Sequence, residues 1–245
     1  MRAQVLVATV LASLLVGPSA LAQQRSFAQA DEAVYGALEL KFGGYTPSID
    51  SEFSGATPFA DFYGDGMFFF ETEVDVYVYD GFGRFGFGLH GGITRERAEV
   101  QSSEDVGSIP GTTSFSVIPL RLSAVYRLDE LQERYRIPLV PVVRAGLDYH
   151  IWRIRGAGGN TSEFSAAEGV TQRAAGAKFG WHAAAALHLS LDFIEPGNAA
   201  ALQLNFGIDH SYLFAEVMLS QIDNFGQPGF DLGGTQTLFG LAFEF

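Results

Sequence analysis

Five histidines, a run of alternating carboxylates and one His-Ser neighbour pair are where chemistry could begin in this chain. His210 and Ser211 are the residue types of a general base and its nucleophile. In an extended segment, however, adjacent side chains point to opposite faces, so the two do not converge on one reacting atom. His90, His150, His182 and His188 are of the type that ligates metals, but only His182 and His188 share a segment. Their separation along a strand is roughly 20 Å, too far for one coordination sphere. Hydrogen bonding inside the fold is the expectation for all four.

Glu71, Glu73 and Asp75 recur at every second residue and so project to one side, as a group of general acids and bases would. Lys41, Arg121, Arg144 and Lys178 fall on the matching face of other segments, and pairing with them is the simpler account. Asp61-x-x-x-Asp65-Gly66 lacks the ligand spacing and the distal glutamate of a calcium loop. Gly43-Gly44, Gly86, Gly88 and Gly91-Gly92 follow no phosphate-loop grammar. The absence of cysteine removes thiolate metal sites, disulfide scaffolds and cysteine nucleophiles together. No catalytic, cofactor-binding or metal-binding residue is assigned, and the chain does not read as an enzyme.

The elements that position these side chains are strands. Of 245 residues, 47% are hydrophobic and 18% charged, which excludes wholesale disorder. The formal charge of −13 argues against nucleic acid, whose phosphates need a basic footprint. Residues 1–22 read as a cleaved signal peptide: Arg2, an apolar run from Val5 to Val16, the Gly17-Pro18 break and Ala20-Leu21-Ala22 before the cut. Residues 23–33 would be a short periplasmic segment and 34–245 the folded body. Elsewhere no apolar run is long enough for a membrane helix.

Period-two alternation predicts eight strands, over 37–45, 67–79, 84–96, 115–128, 139–152, 175–192, 200–213 and 235–245. One face is Leu, Val, Ile, Phe and Ala. The other carries Glu39, Glu71, Glu73, Asp75, Asp148, Asp209 and Glu244 with Lys41, Arg121, Arg127, Arg144, Lys178 and the histidines. Segments 46–66, 98–114, 155–172 and 215–233 are long and acidic, whereas 80–83, 129–138 and 194–198 are short turns. Long loops at one end, short turns at the other and an even strand count describe an eight-stranded antiparallel up-and-down transmembrane β-barrel. In lipid the apolar face turns outward and the charged face lines the lumen. His210 is then a histidine at the membrane interface.

The ending Phe239-x-Leu241-x-Phe243-x-Phe245 resembles the last strand of bacterial outer-membrane proteins, whose final aromatic residue is read by the barrel-assembly machinery. The opening Glu39-Leu40-Lys41-Phe42-Gly43-Gly44-Tyr45-Thr46-Pro47-Ser48-Ile49-Asp50 resembles the start of a myxobacterial-type outer-membrane β-barrel family. These resemblances imply the outer membrane of a Gram-negative bacterium, with membrane lipids and the assembly machinery as partners, the latter through Phe245. The family brings no established activity with it. Outer-membrane lipid A deacylases use a His and a Ser spaced H-x-S, a spacing that His210-Ser211 lacks. A barrel of eight strands is just wide enough for side chains to fill it. The expected role is therefore structural or surface-interacting, with a lumen plugged by a nearly balanced ion-pair network. The acidic loops would favour cationic partners or divalent ions. A narrow conduit for small or hydrophobic solutes and a lipid-modifying enzyme stand as the alternatives.

Overall fold

A computed structural model describes residues 34–64, 66–100, 111–156, 158–165, 171–194, 196–227 and 229–245. The expected signal peptide and the 23–33 segment lie outside them. Strands β1 (Gly36–Tyr45), β2 (Met67–Gly81), β3 (Gly83–Val100), β4 (Gly111–Arg127) and β5 (Leu139–Arg155) come first. A small pair, β6 (Glu163–Ser165) and β7 (Thr171–Arg173), precedes β8 (Ala175–Ser190), β9 (His210–Gln221) and β10 (Gly234–Glu244). Eight of these close a barrel in the order β1-β10-β9-β8-β5-β4-β3-β2, each paired antiparallel with its neighbours. The seam is β1 on β10, with Leu38 opposite Phe243 and Phe42 opposite Phe239.

Alternation produces this closure because every strand has one face that water disfavours and one that must be paired or hydrated. Leu89, Leu122, Leu147 and Leu187 are exposed on the outside, while Glu39, Lys41, Glu71, Glu73, Arg121, Asp148 and His150 are buried inside. The expected faces hold in seven of the eight strands. At the turn end, Gly81 pairs Gly83 around Phe82. Gly83 takes φ +80°, a conformation that a Cβ would strain. The tyrosine hydroxyl of Tyr126 donates to the Phe82 carbonyl and ties that turn to β4.

The expected strand over 200–213 is wrong. Pro196–Phe206 is a helix, and the strand begins at His210 and runs to Gln221. Pro near the first turn followed by Ala-Ala-Ala-Leu-Gln-Leu favours helix, since the run lacks β-branched residues. The apolar residues at 202, 204, 206 and 208 imitate a strand period without being one. In consequence the 194–198 turn becomes a connection of residues 191–209, Asp209 leaves the lumen and Glu216 enters it. The 155–172 segment also holds the β6–β7 pair, which alternation did not disclose.

The lumen is layered. Toward the turn end Val125, Val140, Val142, Ala186, Tyr212, Phe214 and Ala242 pack together. Toward the loop end Tyr45, Met67, Phe69, Phe115, Val117, Met218, Ile222, Leu232 and Leu238 form a second apolar cluster. Phe59, from the helix Pro58–Tyr63 in the first long loop, inserts into it, its ring 6.1 Å from that of Phe115. Tyr45 donates to the Leu232 carbonyl at 2.5 Å, which pins the last long loop over the same mouth. The central charged cluster lies between the two apolar layers, and a second charged group sits at the turn end beyond the first.

Candidate functional site

The charged layer is the densest chemistry in the molecule. β1 places Glu39 and Lys41, β2 places Glu71, Glu73 and Asp75, β5 places Arg144 and Asp148, and β9 places Glu216, all pointing inward. Lys41 Nζ lies 2.5 Å from Glu73 Oε2, 3.1 Å from Glu216 Oε2 and 3.5 Å from Glu39 Oε2. Arg144 spreads its guanidinium over the same acids: Nη2 to Glu39 at 2.5 Å, Nη1 to Glu216 at 2.8 Å and Nε to Glu73 at 3.1 Å. Two cations thus hold three carboxylates, with Asp75 at 3.9 Å from Arg144 as a fourth. Gly88 makes room for them: a Cβ there would sit 2.4 Å from Asp75 Oδ1 and 2.5 Å from Glu73 Oε1.

Next to this cluster is a closed ring. Arg121 bridges Glu71 and Asp148, the latter at 2.7 Å. His90 Nδ1 lies 3.2 Å from Glu71 Oε1, and its Nε2 lies 3.0 Å from Glu73 Oε1. A carboxylate only accepts, so the ring nitrogen that faces Glu71 donates to it. Its Nε2 is also 2.7 Å from Ser123 Oγ, which in turn lies 2.8 Å from His182 Nε2. His182 Nδ1 completes the ring by donating to Asp148 Oδ2 at 2.8 Å. Asp148, His182 and Ser123 have the order of an orienting acid, a base and its nucleophile. With Ser123 and His182 each 1% exposed, no substrate can approach, and the ring acts as packing.

A third group closes the turn end. Arg127 Nε pairs with Asp129 at 2.7 Å and Glu244 at 2.8 Å, and its guanidinium stacks over Tyr212 at 4.4 Å. Arg84 joins it through Glu133 at 2.9 Å and Glu244 at 3.6 Å. His188 stacks on Phe214 at 4.5 Å, and His150 reaches Asp148 at 3.4 Å.

Several expectations need correcting. Lys178 makes no ion pair among the described residues; its ammonium lies 4.7 Å over the Phe230 ring. With Lys178 and Asp209 gone and Glu216 added, the central layer is not nearly balanced. It sets Glu39, Glu71, Glu73, Asp75, Asp148 and Glu216 against Lys41, Arg121 and Arg144. Sequence reading missed Ser123 as a joint, although its strand partners Gly88 and Gly146 mark the gap into which both histidines lean.

His210 and Ser211 both turn to Asp192, His210 Nδ1 to Oδ2 at 2.8 Å and Ser211 Oγ to Oδ1 at 3.1 Å. The serine hydroxyl thus bonds to the carboxylate, and the pair forms no nucleophile and base. Asp50 caps the helix Pro58–Tyr63 through the amides of Phe59 and Ala60. Asp61 accepts from Thr57 at 3.2 Å, while Asp65 lies outside the described residues. Among the described residues no cluster of His, Asp and Glu is set to hold a metal. In the last long loop, the amide of Gly226 holds the Asp223 carboxyl below its ordinary range. Burial pushes the Tyr63 phenol up.

No family model and no curated protein matches the chain, so the myxobacterial-type resemblance rests on residues 39–50 alone. Among solved structures the chain is similar in shape to Ail, the attachment invasion locus protein of Yersinia pestis, solved with the heparin analogue sucrose octasulfate. The identity is 11%, the TM-score 0.45, and the match covers 86% of this chain and 99% of that one. It is also similar to the outer membrane protein OprG from Pseudomonas aeruginosa, at 12% identity and TM-score 0.45, over 86% of this chain and 97% of that one.

Proposed function

We propose that this chain is an outer-membrane β-barrel with a closed lumen and a structural or surface-interacting role. One observation carries the reading: the polarity of a water-soluble protein is inverted. Leu, Phe, Ile and Val side chains are exposed around the wall, while arginine, lysine and glutamate are fully buried within it. Water would drive the opposite arrangement, and lipid requires this one. On β4 the outward residues Ile118, Leu120, Leu122, Ala124 and Tyr126 make a band roughly 20 Å tall at the usual strand tilt. The long loops then face the exterior and the chain ends face the periplasm. Cleavage after Ala22, assembly through Phe245 and binding of cationic or divalent partners by the acidic loops belong to the same reading. Fractionation tests it: the protein is expected in the outer membrane, and recovery from the soluble periplasm would overturn it.

A conduit for small hydrophobic solutes is the second reading. It is favoured by the apolar upper lumen, whose filling by Phe59, Leu232 and Phe230 comes from loops rather than from the wall. Uptake of an apolar probe by vesicles carrying the F59A variant, at rates well above wild type, would support it. A lipid-modifying enzyme finds no support in the way Ser211 and His210 are engaged.

A further inference from the structure

Above the last apolar row on the outside of β3, β4 and β5 stand two rows of arginine. Arg95 and Arg153 flank Ser116, and one step further Arg97 and Arg155 flank Ser114. Ile118 and Ile151 pair directly beneath them. With strands about 4.8 Å apart and alternate residues about 6.8 Å apart, the four Cβ atoms outline a rectangle of roughly 10 by 7 Å. Serine hydroxyls run down its middle. A pocket of about 270 Å³ opens here between Arg95, Arg97, Arg155, Thr112, Ser114 and the Gly156–Gly159 turn.

What sets these arginines apart is that, among the described residues, none is paired with an acid. Arg84, Arg121, Arg127 and Arg144 are each ion-paired inside the barrel. Among the described residues none of the four outer guanidinium groups reaches a carboxylate; Arg95 donates only to Ser114 Oγ, at 3.2 Å. Like charges gathered on one face within about 10 Å of each other repel. In a chain with 28 acidic residues, four cations gathered with no acid on them among the described residues call for an anion from outside. Guanidinium forks match phosphate oxygens in pairs, and hydroxyls between them add neutral donors.

We propose that this patch binds the phosphate groups of lipid headgroups in the leaflet at the loop end. It rests on the membrane reading above and extends it to a named surface. A lipid source fits better than a soluble anion because the arginines lie on the outer wall, one residue step above the apolar band. That is the depth at which headgroups sit, and neither the lumen nor the loop tips share it. The expected acidic rim is therefore interrupted on one side by a basic step.

The test compares wild type with R95Q/R97Q/R153Q/R155Q, each refolded into phosphatidylcholine vesicles with or without lipid A. Folding is read by heat-modifiable gel mobility, and lipid selection by native mass spectrometry of the extracted barrel. Wild type is expected to retain lipid A roughly tenfold over phosphatidylcholine, with the preference falling in high salt. The glutamine variant is expected to fold in phosphatidylcholine and to lose that preference. A matching lysine variant keeps the charge but not the fork, is expected to fold, and should retain part of the preference; it decides the matter if the glutamine variant does not fold. Normal insertion with no lipid A selection by wild type, or undiminished selection by the glutamine variant, would overturn the site alone. Failure of wild type to insert into any vesicle would overturn the membrane reading with it. Equal competition by inorganic phosphate would reassign the patch to a soluble anion and overturn the lipid source.

Discussion

Arg144 touches carboxylates from three different strands, β1, β2 and β9, and none of these groups has access to water. Removing one member of such a set leaves the others charged and unpaired, which costs more than removing a matched set. R144A is therefore expected to destabilise the barrel by about 3 kcal/mol. Combining R144M with E216L should cost less than R144A alone, and urea unfolding in vesicles would show the order. A second expectation concerns His90. H90A strips the contacts to Glu71 and Ser123 and is expected to lower stability below wild type in the same unfolding measurement. Unfolding at the wild-type urea concentration would mean that the ring adds nothing to the barrel. These contacts were partly legible in advance: the acids and bases on the polar face were named from alternation. Which acid meets which base was not, because partners such as Lys41 and Glu216 are 175 residues apart and meet only through closure.

Elements differ in how clearly they announce themselves. β3 to β5 alternate without interruption, β2 does so up to the irregularity at Tyr77–Tyr79, and the positions and faces of all four are readable. The segment 196–213 was misread because apolar residues at even positions satisfy a strand period while the alanine run satisfies a helix. Period alone does not arbitrate there, and the Pro196-Gly197-Asn198 start was the better signal. The upper apolar plug escaped notice for another reason. Its residues sit on the inward face, which alternation predicts to be polar, and Phe59 comes from a loop with no period. The seam leads to a third expectation. Phe245 accepts from the amides of Tyr35 and Gly36 and donates to the Gly36 carbonyl, so it closes the last rung between β10 and β1. Deleting Phe245 removes those bonds together with the terminal aromatic ring, and assembly into the heat-modifiable form should fall sharply. Changing Phe245 to Tyr should preserve both. A truncated chain that assembles as well as wild type would leave Phe245 without the role proposed for it.

At the scale of the whole molecule, orientation and permeability follow from the same layering. The connections at one end are 46–66, 101–110, 156–174 and 222–233; those at the other include the single-residue tip at Phe82. Protease added to intact cells is expected to cut within 54–57, an exposed stretch of the first long loop, and to spare Asp129–Pro138. Cleavage at the latter would reverse the orientation. Permeability is the sharper question. An ion crossing the barrel meets Phe59, Phe69 and Phe115 first, then a layer in which Lys41, Arg121 and Arg144 are already committed to carboxylates, then Tyr212 and Phe214. Each layer excludes it on different grounds, the outer two by apolar packing and the middle one because no charged group is free to replace lost hydration. The native protein in a planar bilayer is therefore expected to pass little current. F59A loosens only the loop-end layer, so it is expected to leave ionic conductance low even if it admits apolar probes. R144A opens the middle layer and should raise brief, irregular leaks above the wild-type level. Reproducible nanosiemens steps from wild type would contradict all three layers at once, and the closed-lumen role would have to give way to a pore.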